Sequence, residues 1–229
     1  MHKPSGGRAV QERRAPAIVE ADSAKQKRWR ELDFFASPPW STRAGAELLT
    51  GLAPAARLVW EPACGDGIMA QCLEEYFDVY ASDIEPQGYG NKLDFLEMPA
   101  TFIVRPDWVV TNPPFARAAD FVRTGLQLAT IGVAVLCRLS FLESAERAAL
   151  HFGSTRLSVL APFCERVPMQ LGPWNPRAST ATAYAWFVYM HKPRAAWPII
   201  KPILPGTKLR LSMPEDVRRF LPASEGALV

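Results

Sequence analysis

Leu58-Val59-Trp60-Glu61-Pro62-Ala63-Cys64-Gly65-Asp66-Gly67 is the stretch on which the fold turns. Leu58, Val59 and Trp60 form a short apolar strand, ended by Pro62. A loop of small residues follows, with glycines at alternate positions, and then Ile68, Met69, Cys72 and Leu73 recur on one helical face. A strand that passes through a glycine loop into a helix opens an α/β unit. It lets a ligand approach the backbone and offers helix N–H groups to a carboxylate. A second strand, Phe77-Asp78-Val79-Tyr80-Ala81-Ser82-Asp83, ends in an acid. In nucleotide-binding folds an acid about twenty residues beyond the glycine loop takes the ribose hydroxyls; a helix cap or turn is the other use of Asp83. The third glycine of the dinucleotide fingerprint is missing, so the ligand expected is a nucleoside and not a dinucleotide.

Downstream, Asp94-Phe95-Leu96 marks the end of a third strand. The acid there is placed to hold an adenine amine and the aromatic to cover its ring, although a buried turn has the same composition. Asp107-Trp108-Val109-Val110-Thr111 is a fourth strand, and it runs into Asn112-Pro113-Pro114-Phe115. Neither proline can donate an N–H, and a residue before proline is held extended. The strand therefore ends in a stiff corner that shows an amide oxygen, peptide carbonyls and an aromatic face. Such a corner suits a planar amine, whose two hydrogens need acceptors and whose ring needs a stacking surface. It also suits a plain strand-ending turn.

Strands are further expected over Ile131–Leu139, Leu157–Leu160 and Ala183–Met190, and helices over Ala118–Leu128, Phe141–Phe152 and Pro214–Leu221. Seven strands alternating with helices predict an α/β fold with helices on both faces of the sheet. Before the first strand, Asp33-Phe34-Phe35-Ala36-Ser37-Pro38-Pro39-Trp40 reads as extended, with Ser41 or Thr42 capping a helix. Its aromatics and Ser37 suit either a pocket wall or a hydrophobic plug. The long segment Phe163–Thr180 carries Arg166, Trp174, Asn175 and Arg177, a set suited to phosphate and base contacts or to an exposed loop.

Charge divides the chain of 229 residues into three expected parts. Residues 1–32 are a basic arm, read as mobile and helical over Ala24–Leu32. Residues 33–190 are a mildly acidic body, and residues 191–229 a Pro-rich basic extension. A polyanion would meet the ends or a local patch, not the body as a whole. No apolar run approaches the ~20 residues of a membrane span, and no signal peptide is legible. Cys64, Cys72, Cys137 and Cys164 lack metal-site spacing and lie in apolar sequence, so they are expected reduced, with no metal site, in a cytoplasmic protein.

Taken in this order, the motifs resemble those of the class I S-adenosylmethionine-dependent amino-methyltransferases, in particular the DNA adenine-N6 group of phages and mobile elements. The resemblance covers roughly residues 33–190 and implies a Rossmann-like class I methyltransferase fold, a seven-stranded, mostly parallel sheet with one antiparallel strand. It implies S-adenosyl-L-methionine as cofactor. Ser37 stands where the family often has a threonine that helps hold the methionine part. Glu61, Pro62, Ala63, Cys64, Gly65 and Gly67 match the cofactor loop, Asp83 and Ile84 the ribose position, and Asp94 and Phe95 the adenine contact. Asn112, Pro113, Pro114 and Phe115 match the catalytic tetrad, with Asn112 also bordering the cofactor and Phe115 stacking on the target base. Arg166, Trp174 and Arg177 are the implied substrate contacts. DNA is the implied partner, with loose or short-sequence specificity because no long target-recognition stretch is seen. RNA adenine is the alternative substrate, and a non-catalytic nucleoside-binding module is the alternative outside enzymes.

Overall fold

The computed structural model describes residues 16–153, 157–193 and 195–221, with side chains from Ser23 onward. In chain order the elements are α1 (Pro16–Glu31), α2 (Pro39–Leu52), β1 (Leu58–Glu61), α3 (Ile68–Leu73), β2 (Asp78–Asp83), β3 (Asn91–Lys92) and β4 (Trp108–Thr111). Then follow α4 (Ala118–Leu128), β5 (Gly132–Arg138), α5 (Ala145–Phe152), β6 (Leu157–Pro162), β7 (Tyr184–Met190), β8 (Ile199–Ile200), α6 (Thr207–Leu211) and α7 (Asp216–Phe220). The strands form one sheet in the order β3-β2-β1-β4-β5-β7-β6-β8. All pairings are parallel except those of β7, which runs antiparallel to both β5 and β6. This is the class I methyltransferase arrangement, with β8 as an eighth strand at the edge.

Side-chain alternation splits the core between the two faces of the sheet. Val59, Trp108, Val110, Leu136 and Trp186 pack with Trp40, Ala46 and Leu49 of α2 on one face. Trp60, Val109, Val133, Val135 and Phe187 pack with Phe121 and Val122 of α4 and Leu150 of α5 on the other. Both faces are covered, which is why the central strands read as continuous apolar runs. Strand order turns from β2-β1 to β4-β5 on either side of β1, and at such a reversal the connections diverge and leave a crevice at the strands' carboxyl ends.

Several local expectations are corrected. α1 begins at Pro16, well before Ala24, and residues 1–15 lie outside the described residues. α2 starts at Pro39, with Pro38 as its N-cap; Ser41 and Thr42 lie inside it. Proline suits the first helical position because the N–H it lacks would have had no partner there. The helix expected from Phe141 is broken into a 3-10 turn (Leu139–Leu142) and α5. The break is Ser144 at φ 102, whose Oγ caps α5 by accepting from the Arg147 N–H at 3.3 Å. Cys164 is exposed, unlike the other three cysteines. Among the described residues no helix is long and apolar enough to cross a membrane.

Candidate functional site

A cavity of about 420 Å³ lies at the carboxyl ends of β1, β2 and β4. It falls within the usual range for a ligand of nucleoside-conjugate size. The glycine loop contributes Glu61, Pro62, Ala63, Cys64 and Gly65 to its wall. Asp83 and Ile84 come from the end of β2, Asp94 and Phe95 from the turn after β3, and Asn112 and Pro114 from the corner after β4. Ser37 and the strap Glu31–Ala36 close the remaining side. The glycine turn and the Asn-Pro-Pro corner thus face one space.

The loop needs its glycines. Gly65 has φ 52, and a Cβ there would stand 2.6 Å from the Phe34 ring. Gly67, at φ 85, would run into Tyr89; it packs against that ring and does not border the cavity. The loop amides are committed internally. Gly65 N–H donates to Asp83 Oδ2 at 2.8 Å, Gly67 N–H to the Cys64 carbonyl at 2.7 Å, and Ile68 N–H to Asp66 Oδ1 at 3.2 Å. At the helix N-terminus itself Ile68 N–H is taken by Asp66, while Met69 and Ala70 N–H, in the first turn, have no hydrogen bond to a residue outside the helix among the described residues. The other Asp83 oxygen accepts from Glu85 N–H at 2.8 Å, and burial pushes the carboxyl above its ordinary pKa. Each oxygen keeps acceptor capacity beyond its backbone donor.

Buried polar atoms without partners cluster here. Ser37 Oγ, Glu61 Oε2 and Asn112 Oδ1, all on cavity-lining residues, have none among the described residues. The Thr111 hydroxyl faces the Glu61 carboxyl, too poorly placed for a full hydrogen bond yet near enough to favour its charged form. Leaving such a group unpaired costs about 1–3 kcal/mol. Trp40 Nε1, Thr42 Oγ1 and Trp108 Nε1 are likewise unpartnered among the described residues but lie away from the cavity, whereas the three on its lining are open to a ligand. Glu61 is 1% exposed, with Oε1 accepting from Ala63 N–H at 3.1 Å. Burial pushes its carboxyl up to about 8, and burial also pushes Asp66 up to about 6.

At the corner, Asn112 Nδ2 donates to the Phe35 carbonyl at 2.7 Å and lies 3.8 Å from Met169 Sδ. Phe115 N–H donates to Asp33 Oδ2 at 2.6 Å, and Asp33 itself sits in the left-handed region at φ 52. The strap is held from the far side as well: Gly172 N–H donates to the Phe34 carbonyl at 2.8 Å and Ala36 N–H to the Gly172 carbonyl at 3.2 Å. Pro113 is buried, behind the wall formed by Pro114. The Phe115 ring lies outside the cavity lining, tilted against Phe35 with centroids 5.4 Å apart.

One expected grouping, Arg166, Trp174 and Arg177, is not brought to the cavity, and Phe95 borders the cavity without a free ring face. The Phe95 ring, which reads in sequence as a cover for adenine, is 2% exposed and packed between Trp60 and Phe121. Ile84, 56% exposed, is the apolar side chain that stands free on that wall. Arg166, Trp174 and Arg177 do not line the cavity. Trp174 is buried against Phe220 in a small cluster with Ala36, Ile68 and Cys72, and Arg166 donates to the Ala181 carbonyl at 2.7 Å. The long loop instead reaches the site through Met169 and Gly172, which carry no sequence signal for that role.

No family model matches the chain, and no curated protein matches it by sequence. Solved structures do. A Streptococcus thermophilus methyltransferase subunit of a type I restriction-modification system aligns with TM-score 0.56 and 10% identity, over 73% of this chain and 47% of that one. A Listeria monocytogenes protein assigned as a class I S-adenosylmethionine-dependent methyltransferase gives 0.52 and 14%, over 72% and 65%. A Pyrococcus horikoshii protein assigned as an RNA methyltransferase gives 0.50 and 12%, over 71% and 87%. The chain spans about half the length of the restriction subunit. At these identities the likeness is one of fold.

Proposed function

We propose that this chain is an S-adenosylmethionine-dependent methyltransferase acting on the exocyclic N6 amine of adenine in DNA, with loose or short-sequence specificity. The observation that carries the reading is the unpartnered Asn112 Oδ1, held at the rim of a cavity whose other wall is a glycine loop and a ribose-type acid.

The residues fit the cofactor. Asp83 has acceptor capacity for two ribose hydroxyls, Asp94 an oxygen for the adenine amine, and Ile84 an apolar face for the purine. Asp94 Oδ1 already accepts from Leu96 N–H at 3.0 Å, so its second oxygen is the one left for the amine. Glu61 Oε2 and Ser37 Oγ, both buried and unpaired, answer the ammonium and carboxylate of the methionine end. When bound, the cofactor supplies an electrophilic methyl on a sulfonium.

What the protein supplies is position. An adenine amine is conjugated with its ring and is a poor nucleophile. Asn112 Oδ1 and the Pro113 carbonyl accept its two hydrogens and favour a pyramidal nitrogen with its lone pair toward the donor. Phe115 stacks on the ring. With the donor bound, the methyl would pass from sulfur to nitrogen and the proton would leave to water afterwards, so the chain need supply no strong base. A base within a duplex cannot reach the corner and must be extruded.

The test offers tritiated cofactor separately to plasmid DNA, total RNA and protein, followed by nucleoside mass spectrometry. N6-methyldeoxyadenosine is the expected product. Label only in N6-methyladenosine of RNA would replace DNA with RNA; label in neither would end the nucleic-acid reading.

A further inference from the structure

Arg138 is the last residue of β5, paired in register with Tyr184 at the start of β7. It is exposed, and its guanidinium carbon stands 4.5 Å from the Phe115 ring centroid and 5.8 Å from that of Phe35. The Tyr184 ring lies 6.3 Å from Phe115, and its hydroxyl oxygen accepts a hydrogen bond from Arg138. A planar cation therefore rests on the ring that the proposed function uses to stack the target base.

Arg117, Arg147 and Arg166 are tied to acceptors of their own. Arg117 pairs with Asp120 at 2.7 Å, Arg147 donates to the Glu143 carbonyl at 2.7 Å, and Arg166 donates to the Ala181 carbonyl. Among the described residues no carboxylate lies within ion-pair distance of Arg138. Asp33, the acid at this corner, already accepts the Phe115 N–H. A guanidinium that lies over an aromatic ring and gives one hydrogen bond to a tyrosine hydroxyl keeps its remaining donors for another group, and their fork geometry matches a phosphate.

We propose that Arg138 positions the substrate strand: its donors bind the phosphate flanking the extruded adenosine while its face holds Phe115 in place. The residue thereby selects a base carried on a phosphodiester over a free nucleoside. This rests on the proposed function. Arg138 is a binding and positioning residue and takes no part in the bond changes.

The experiment compares wild type, Arg138→Ala and Arg138→Lys on whichever nucleic acid the wild type labels. Methyl transfer and strand binding are measured across salt concentrations, with cofactor affinity as the control. Arg138→Ala is expected to raise KM for the strand about tenfold and to lower the salt slope of binding by about one, with cofactor affinity unchanged. Arg138→Lys, which keeps the charge but loses the fork and the flat face, is expected to retain the slope and lose part of the affinity. If the wild type labels a strand and Arg138→Ala shows the same KM and slope, the role of Arg138 is overturned and the proposed function stands. If the wild type labels no nucleic acid, both fall. Should Arg138→Ala fail to fold, an unchanged affinity and KM in Arg138→Lys overturns the need for the fork.

Discussion

The Phe35 carbonyl sets the orientation of the Asn112 amide. Nδ2 donates to it at 2.7 Å, which turns Oδ1 the other way, buried and unpartnered. An amide free to rotate would present nitrogen as readily as oxygen; this one can present only an acceptor. Asn112→Ala is expected to lower methyl transfer by about 10²–10³-fold, the scale for losing one preorganised polar contact to the reacting group. Cofactor affinity should stay within about threefold, since that truncation leaves the ribose and adenine contacts in place. Calorimetry and single-turnover rates separate the two, and a retained rate would remove the corner from the mechanism.

If Glu61 meets the ammonium of the cofactor, as the proposed function has it, binding is expected to release a proton. Burial raises its carboxyl to about 8, so it is neutral at pH 6.5 in the free protein. A cationic ammonium facing Oε2 would favour the charged form and drive the proton off. Calorimetry at pH 6.5 in buffers of different ionisation enthalpy should show release of about one proton on binding, absent in Glu61→Gln. The stability sign follows from the same shift. The folded value lies above the unfolded one, so the group's contribution is complete below the unfolded pKa of 4.5 and is lost as pH rises through about 8. Free Glu61→Gln should therefore melt higher than wild type at pH 9, by about 2–6 °C.

The parts of the site that sequence made legible are those whose chemistry is local. Gly65 and Gly67 are demanded by backbone angles, the ending at Asn112-Pro113-Pro114 by missing donors, and Asp83 by its place after a strand. The succession of strands and helices implied a sheet covered on both faces, as Trp108 and Val110 on one side and Val109 on the other show. The parts that stayed hidden depend on contacts between distant segments. Asp33 reaches Phe115 across 82 residues and Met169 reaches Asn112 across 57, and nothing near either residue announces the meeting. Trp174 shows the converse: an aromatic among loop prolines reads as exposed, yet it fills a gap against Phe220 from the far end of the chain. β8 and α6 were too short for any periodicity to declare them.

Asp83 braces the glycine loop, and in the proposed function it also holds the ribose. It accepts from Gly65 N–H and from Glu85 N–H, each at 2.8 Å. Asp83→Ala should weaken cofactor binding by about 10–100-fold, from lost hydroxyl contacts together with a loosened glycine turn. Asp83→Asn keeps one acceptor oxygen and should lie between Ala and wild type. An unaltered dissociation constant in the alanine variant would exclude the ribose role.

The final prediction concerns Arg43, wholly buried on α2. Its Nη2 donates to Asp216 Oδ1 at 2.7 Å and its Nη1 to Asp216 Oδ2 at 2.8 Å, while Nε and Nη2 meet Glu75 at 2.7 and 2.9 Å. Nη1 also donates to the Leu211 carbonyl at the end of α6. One cation therefore ties α2, which packs on the sheet, to the turn before β2 and to both C-terminal helices. Removing Asp216 would strand a guanidinium with part of its charge unanswered in the interior, a defect that costs about 3–5 kcal/mol. Asp216→Ala should lower the thermal midpoint, and the loss should exceed that of Glu75→Ala, because Glu75 is partly exposed and water can replace it. Arg43→Met combined with Asp216→Leu removes both charges and should recover most of the stability lost in Asp216→Ala. A double variant no more stable than the single would mean that the hydrogen-bonding pattern of the cluster, and not the unpaired charge, governs the cost.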